Sequence, residues 1–251
     1  MRRMIALVLV CVMLCMLCGC SAQGQDYKEA MKYYNAQDYD QALPLFQALG
    51  DYEDSAQMVI TCACKQAEAL IAKRNLKEAV ALLAEYYDAP EAQQLFCDTF
   101  LTEGTAYADL IQKAIESWGE YLPIWIKALN AVTAKTPAGK ILDIPKVDQA
   151  APQITAVQRS MEKANKIAAL LKEAYTEQVL QVCDEEMQNL VNTFFQSAEI
   201  IDQQFQDLDS WVTLMLFYGV QDHNAAKANT KVMNALYAVQ DALEFLTEHQ
   251  G

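Results

Sequence analysis

The chain has 251 residues, of which 53% are hydrophobic and 21% are charged. This composition is typical of a folded protein with a substantial core, and it excludes disordered and collagen-like chains. Eight glycines and six prolines are too few for the regularly spaced turns of an all-β fold. The formal net charge of −14 opposes binding to phosphate backbones, so we expect no nucleic-acid partner.

The start of the chain predicts export. Arg2 and Arg3 precede an unbroken apolar run over residues 5–17. As a helix this run would be about 20 Å long, which is shorter than the ~30 Å hydrocarbon core of a bilayer. It is therefore typical of a signal peptide and not of a membrane-spanning helix.

The apolar run ends in Leu17-Cys18-Gly19-Cys20, which resembles the lipobox of bacterial lipoproteins. The resemblance implies a signal peptide over residues 1–19, cleavage before Cys20 and attachment of a lipid to its thiol. Residues 20–26 would then be the lipidated cysteine and a short polar tether. The protein is expected outside the cytoplasm, held to a bacterial membrane by this lipid. An ordinary secretory leader with an incidental cysteine is the alternative.

Four further cysteines follow Cys20, and they predict neither a metal site nor a redox motif. They are Cys62, Cys64, Cys97 and Cys183, and no two of them have the Cys-x-x-Cys spacing of zinc or thioredoxin-like sites. Cys62 and Cys64 point to different faces of a helix, which disfavours a disulfide between them. We interpret all four as buried thiols that act as small hydrophobic residues, with a disulfide as the alternative.

Residues 27–103 contain an internal repeat with a spacing of 37. The matched pairs are Ala30 with Ala67, Tyr33 with Leu70, Ala42 with Ala79, and Phe46 with Leu83. The alternation of small and large residues resembles the tetratricopeptide repeat, in which two helices form a hairpin and hairpins stack. The resemblance implies helical hairpins, a turn between repeats at 50–55, a third helix near 90–102, and a surface that binds a protein or peptide.

Residues 104–251 are dominated by apolar residues at alternating steps of four and three, the pattern of helices that pack along a seam. This pattern predicts a bundle of long antiparallel helices over 105–135, 153–182, 184–218 and 223–248. Three prolines predict a loop over 137–152. A polar interruption favours a break near Asp184, with one long stuttering helix as the alternative. The predicted fold is therefore all-α: a short array of tetratricopeptide-like repeats followed by this bundle.

The residues needed for catalysis are nearly absent. The two histidines, His223 and His249, lack metal-binding spacing, and no nucleophile elbow, phosphate loop or dinucleotide fingerprint occurs. Asp184, Glu185 and Glu186 fit a solvated helix face better than an acid–base or cation site. We therefore predict no enzyme activity, no catalytic residue, no metal and no cofactor.

A scaffold that binds proteins or peptides through its repeats, tethered to the outside of a membrane, is the function that the sequence favours. The residues that contact the partner stay unassigned. A structural spacer at the cell surface, formed as a homo-oligomer, is the alternative. A solute-binding lipoprotein with an aromatic pocket near Trp118 and Trp125 is a third possibility.

Overall fold

A computed structural model describes residues 22–133 and 151–218, together with the isolated positions Asn234 and Tyr237; side chains are described over 22–120 and 155–206. The leader, Cys20, most of the expected loop 137–152 and the expected helix 223–248 lie outside the described residues. The described residues form eight helices and no strand, which confirms the all-α prediction. The chain divides into two compact units, Met1–Phe96 and Cys97–Gly251.

Four helices and the start of a fifth make up the described part of the first unit. They are α1 (22–35), α2 (Tyr39–Leu49), α3 (Ser55–Ala72), α4 (Leu76–Ala84) and the first turns of α5 (Pro90–Thr133). α3 packs against both α2 and α4. Residues 22–26, expected to belong to a tether, are helical and belong to α1.

The two loops within the helix pairs have the same geometry at the spacing of 37. Gln37 and Arg74 both have left-handed backbones, with φ of 60° and 63°. In each loop the next residue donates its backbone N–H to a carbonyl five residues earlier, at 3.0 Å for Asp38 and 2.9 Å for Asn75. The period seen in the side chains is therefore also present in the backbone.

Small side chains at the repeat positions let these helices approach closely. Six of the eight matched residues are completely buried: Ala30, Ala42, Phe46, Ala67, Ala79 and Leu83. An alanine removes side-chain bulk at the crossing, and the buried ring or leucine fills the space beside it. The remaining pair, Tyr33 and Leu70, is only half-buried.

α5 is a single helix of 44 residues, although the sequence pattern favoured separate helices near 90–102 and 105–135. No proline interrupts residues 91–122, and Gly104 is buried within the helix, so no residue there ends it. At about 1.5 Å per residue, α5 is about 66 Å long.

The second unit adds α6 (Ala151–Ala174), α7 (Glu177–Leu180) and α8 (Glu185–Tyr218). The break expected near Asp184 is present, because the Asp184 carboxylate accepts the backbone N–H of Met187 at 2.8 Å and caps α8. A second break ends the expected helix 153–182 early. There the Thr176 hydroxyl accepts the N–H of Val179 at 3.3 Å and starts α7.

An aromatic cluster centred on Phe100 fills the core of the second unit. The Phe100 ring meets Tyr175 at 5.0 Å and Phe194 at 5.2 Å between centroids, and Tyr107 meets Phe194 at 5.1 Å, all edge-to-face. Tyr175 follows α6, whereas Asn165, further back on α6, donates to Asp202 on α8. Residue numbers therefore fall along α6 as they rise along α8, so these two helices are antiparallel.

The seams predicted from the sequence are the buried faces of these helices. The seam residues that are buried are Tyr107, Ile111, Ala114 and Trp118 on α5, Val157, Met161, Ala164 and Leu171 on α6, and Met187, Val191, Phe194, Ala198, Ile201 and Phe205 on α8. Within the described ranges, no helix is both long enough and apolar enough to cross a bilayer.

Replacing Phe100 by Ala should destabilise the protein strongly. The ring is completely buried among other aromatic rings, so its removal leaves a cavity that costs about 3–5 kcal/mol in the free energy of unfolding. Urea denaturation followed by circular dichroism measures this loss. Thr102→Ala, at a solvent-facing position of the same helix, is the matched control and should change stability by less than about 0.5 kcal/mol. Equal stabilities of the two variants would contradict the described core.

Candidate partner-binding surface

Within residues 22–133 and 151–218, the acidic and metal-ligating residues do not converge. No group of three His, Cys, Asp or Glu residues that could hold a metal ion occurs in the described part of the chain. Asp184 serves as a helix cap, and the adjacent Glu185 and Glu186 are exposed in the first turn of α8. Carboxylates at a helix N-terminus are favoured by the helix dipole, so local structure accounts for this triplet.

Three of the four cysteines are buried, as the interpretation as small hydrophobic residues requires, and Cys64 departs from it. Cys62, Cys97 and Cys183 are buried, Cys64 is half-buried, and no disulfide joins these four described cysteines. Burial raises the pKa of the Cys62 thiol to about 11. Because the thiolate is the reactive form, Cys62 is chemically quiet at neutral pH.

The second unit contains buried tyrosine hydroxyls that stay protonated. Burial, followed by the nearby thiols of Cys97 and Cys183, raises the pKa of Tyr175 well above its ordinary value. The Tyr107 hydroxyl is buried without a hydrogen-bond partner, and burial and then Asp202 raise its pKa. Trp118 is also in the core, 5% exposed, and the side chain of Trp125 lies outside the described residues. These groups fit a packed interior.

A layer of half-buried tyrosines covers the small core of the first unit. Five half-buried tyrosines pack against that core: Tyr27, Tyr33, Tyr34, Tyr39 and Tyr52. A half-buried tyrosine keeps its ring fixed while part of the ring and its hydroxyl face solvent. Such residues supply contact area at a small cost in conformational entropy, and tyrosine is enriched in protein interfaces for this reason.

Tyr34 and Tyr39 form a pair at the loop between α1 and α2. Their ring centroids are 5.7 Å apart with an interplanar angle of 68°. Lys65 of α3 lies near both rings. Its hydrogen bond to Glu68, at 2.7 Å, is the main cause of a raised Lys65 pKa, and Tyr39 and Tyr34 add to it. A positive and a negative charge therefore lie together on α3, and the positive one is within electrostatic range of the tyrosine pair.

A polar stripe along α3 continues this surface. Its residues are Gln57, Thr61, Cys64 and Glu68, which share a helix face because they are four, three and four positions apart. The Gln57 amide donates to the Glu91 carboxylate of α5 at 3.2 Å. Burial, then Glu91 and Glu68, raises the pKa of Cys64, so this thiol lies within electrostatic range of both carboxylates. We call the tyrosine pair, Lys65 and this stripe the candidate surface.

Sequence reasoning expected a binding surface on the repeats but assigned no residue to it. One signal was available, because seven of the 12 tyrosines lie between residues 27 and 87. The pairing of Tyr34 with Tyr39 across a loop, and the position of Lys65 beside them, depend on how α1, α2 and α3 pack. No spacing in the sequence reports that packing. Cys20, the one site residue assigned from sequence, lies outside the described residues.

Comparison with protein-family models, curated proteins and solved structures finds no match to this chain.

The thiol of Cys62 should react slowly with iodoacetamide in the folded protein. Raising its pKa from the ordinary 9.0 to about 11 lowers the thiolate population about 100-fold at pH 8, so alkylation should be at least about 100-fold slower than in urea. Peptide mass spectrometry measures both rates, with Cys62→Ser confirming the peptide assignment. A native rate equal to the rate in urea would show that Cys62 is not buried.

Proposed function

We propose that this protein is a lipid-anchored, extracytoplasmic scaffold that captures a protein or peptide on the candidate surface. The paired, half-buried rings of Tyr34 and Tyr39 beside Lys65 and Glu68 are the observation that carries the proposal. The lipobox-like sequence at residues 17–20 supports the anchor.

The chemistry of the candidate surface favours a polypeptide over a small solute. Tyr34 and Tyr39 offer flat ring area for an aromatic or aliphatic side chain. Their hydroxyls, with Gln57 and Thr61, offer hydrogen bonds of the kind a peptide backbone or polar side chain can use. Lys65 and Glu68 present both charge signs within one helical turn. Hydrogen bonds and charge pairs of this kind fix the orientation of a partner more than they increase affinity.

The underlying helix pairs suit such a role because they hold the surface rigid. Tyr39 begins α2 directly after the capped loop, and the Gln66 amide of α3 donates to Asp40 on α2 at 3.0 Å. The contacts of α1, α2 and α3 fix the relative positions of the two tyrosines before any partner arrives. Preorganisation of this kind lowers the entropic cost of binding.

The proposed lipid anchor predicts where a variant without the Cys20 thiol is found in the cell. Cys20→Ala removes the acceptor thiol, so the protein should move from the membrane fraction to the soluble extracytoplasmic fraction. Fractionation and mass measurement of the mature N-terminus check this, and Cys18→Ala is the matched control that should leave the protein on the membrane. Membrane retention of the Cys20→Ala protein would count against lipidation.

The candidate surface predicts which positions contact the partner. A photo-crosslinking amino acid at Tyr34 in the native membrane should give a discrete adduct, and the same residue at the exposed Ala48 should not. Purified partner should bind Tyr34→Ala/Tyr39→Ala protein about 10- to 100-fold more weakly, because interface tyrosines often contribute 1–3 kcal/mol or more. Gln41→Ala/Ala48→Ser is the matched control, since both side chains are exposed on α2.

Two results would refute the proposed surface. One is equal crosslinking at positions 34 and 48, which would indicate that neither faces a specific partner. The other is unchanged affinity of the Tyr34→Ala/Tyr39→Ala protein, provided that circular dichroism shows the variant to be folded.

A further inference from the structure

We infer that the turn between α2 and α3, residues 50–54, together with the first turns of α1, forms the face of the first unit that lies at the lipid surface. The opposite end of α1, which carries Tyr34 and the loop to Tyr39, then points away from the membrane. This inference rests on the proposed lipid anchor at Cys20 and goes beyond it, because an anchor on a long tether would leave every face of the protein equally free.

Only a short length of chain separates the proposed anchor from the folded protein. The described part of α1 begins at residue 22, so no more than Ser21 lies between Cys20 and that part of the helix. Two residues of fully extended chain span at most about 7 Å. An acyl chain on Cys20 holds that residue at the membrane interface, so residue 22 of α1 is held within about 7 Å of the interface.

The described start of α1 packs against the turn at residues 50–54. Gly24 lies so close to Tyr52 that a Cβ atom added there would be 3.3 Å from the tyrosine oxygen. The Tyr27 hydroxyl donates to the Asp54 carboxylate at 2.6 Å, and the Tyr27 ring meets Tyr52 edge-on at 5.9 Å. These contacts fix residues 50–54 to the start of α1, so the anchor brings the turn to the membrane with it.

The contact of Tyr27 with Asp54 shows that the start of α1 is part of the fold and not a loose tether. The Asp54 hydrogen bond is the largest cause of the Tyr27 pKa being raised to about 12, and burial and the charge of Asp54 follow. The raised pKa means that the neutral hydroxyl is favoured in the folded protein. The Tyr27 hydroxyl therefore stays protonated and able to donate at neutral pH, and it loses this proton as the pH rises through about 12.

The charge of this face determines what holds it at the membrane. Asp51, Glu53 and Asp54 are exposed carboxylates in the turn, and they repel anionic headgroups. The turn is therefore held at the membrane surface by the covalent anchor and not by attraction between its own side chains and the lipid. The described residues 22–35 of α1 span about 21 Å, so the loop at 36–38 lies about 20 Å further along the helix. The candidate surface near that loop is then presented to the space outside the membrane.

Fluorescence quenching in reconstituted vesicles tests this arrangement. An azide-bearing amino acid, placed at Asp51 or at Ala36 in separate full-length proteins, is coupled to one small fluorophore; both positions are exposed turn residues of the first unit. The lipidated proteins are incorporated into phosphatidylcholine vesicles that contain nitroxide-headgroup lipid. Because about 20 Å of helix separates the two positions, we expect at least about twofold stronger quenching at position 51 than at position 36.

A lengthened tether provides the internal control. Ten Gly and Ser residues inserted after Ser21 have a root-mean-square span of about 17 Å, which frees the first unit from the anchor. Quenching at position 51 should then fall to the level at position 36. An unchanged preference for position 51 in the lengthened protein would show that the face binds lipid by itself, and this would overturn the assignment to the tether.

Vesicle flotation of the same samples distinguishes failure of the inferred orientation from failure of the proposed lipid anchor. Equal quenching at positions 51 and 36, or stronger quenching at position 36, in protein that floats with the vesicles would overturn the inference and leave the lipid anchor standing. If the protein does not float, the anchor itself is wrong, and the inference is overturned with it.

Discussion

The described structure depends on helices that bury a narrow apolar stripe against one another. In the first unit, alanines at the helix crossings allow close approach, and Phe46 and Leu83 fill the space beside them. In the second unit, the stripe is rich in aromatic rings, with Phe100 at the centre of the cluster. Ion pairs in the described ranges, such as Lys65 with Glu68, add little to this cohesion because they are exposed to solvent.

These two ways of packing helices leave different surfaces. In the first unit, five tyrosines that pack against the small core are only half-buried, and Tyr34 and Tyr39 keep part of their surface exposed to solvent. In the second unit, Tyr107 and Tyr175 are buried against other aromatic rings. The two groups of tyrosines therefore differ in what they offer: the first group presents rings and hydroxyls to solvent, and the second fills a packed interior.

Periodicity in the sequence was sufficient to predict the helices and most of their buried faces. The seam from Met187 to Phe205 is the buried side of α8, and Asp184 caps that helix where a break was favoured. Helix ends were harder to predict, because they depend on single local contacts. The Thr176 cap ended α6 early, and Gly104 did not end α5. Sequence periodicity could not predict the candidate surface. This surface joins side chains of α1, α2 and α3 that only tertiary packing brings together.

Among the four described cysteines, Cys64 is the one that is half-buried, and it lies within the polar stripe of α3, in electrostatic range of Glu68 and Glu91. Its position makes it a native reporter of occupancy. Anything that settles on the stripe would shield this sulfur from dissolved electrophiles and slow its labelling, while the three buried thiols would serve as an internal reference. Partner engagement could therefore be followed by covalent footprinting of the unaltered chain, before the partner itself has been purified.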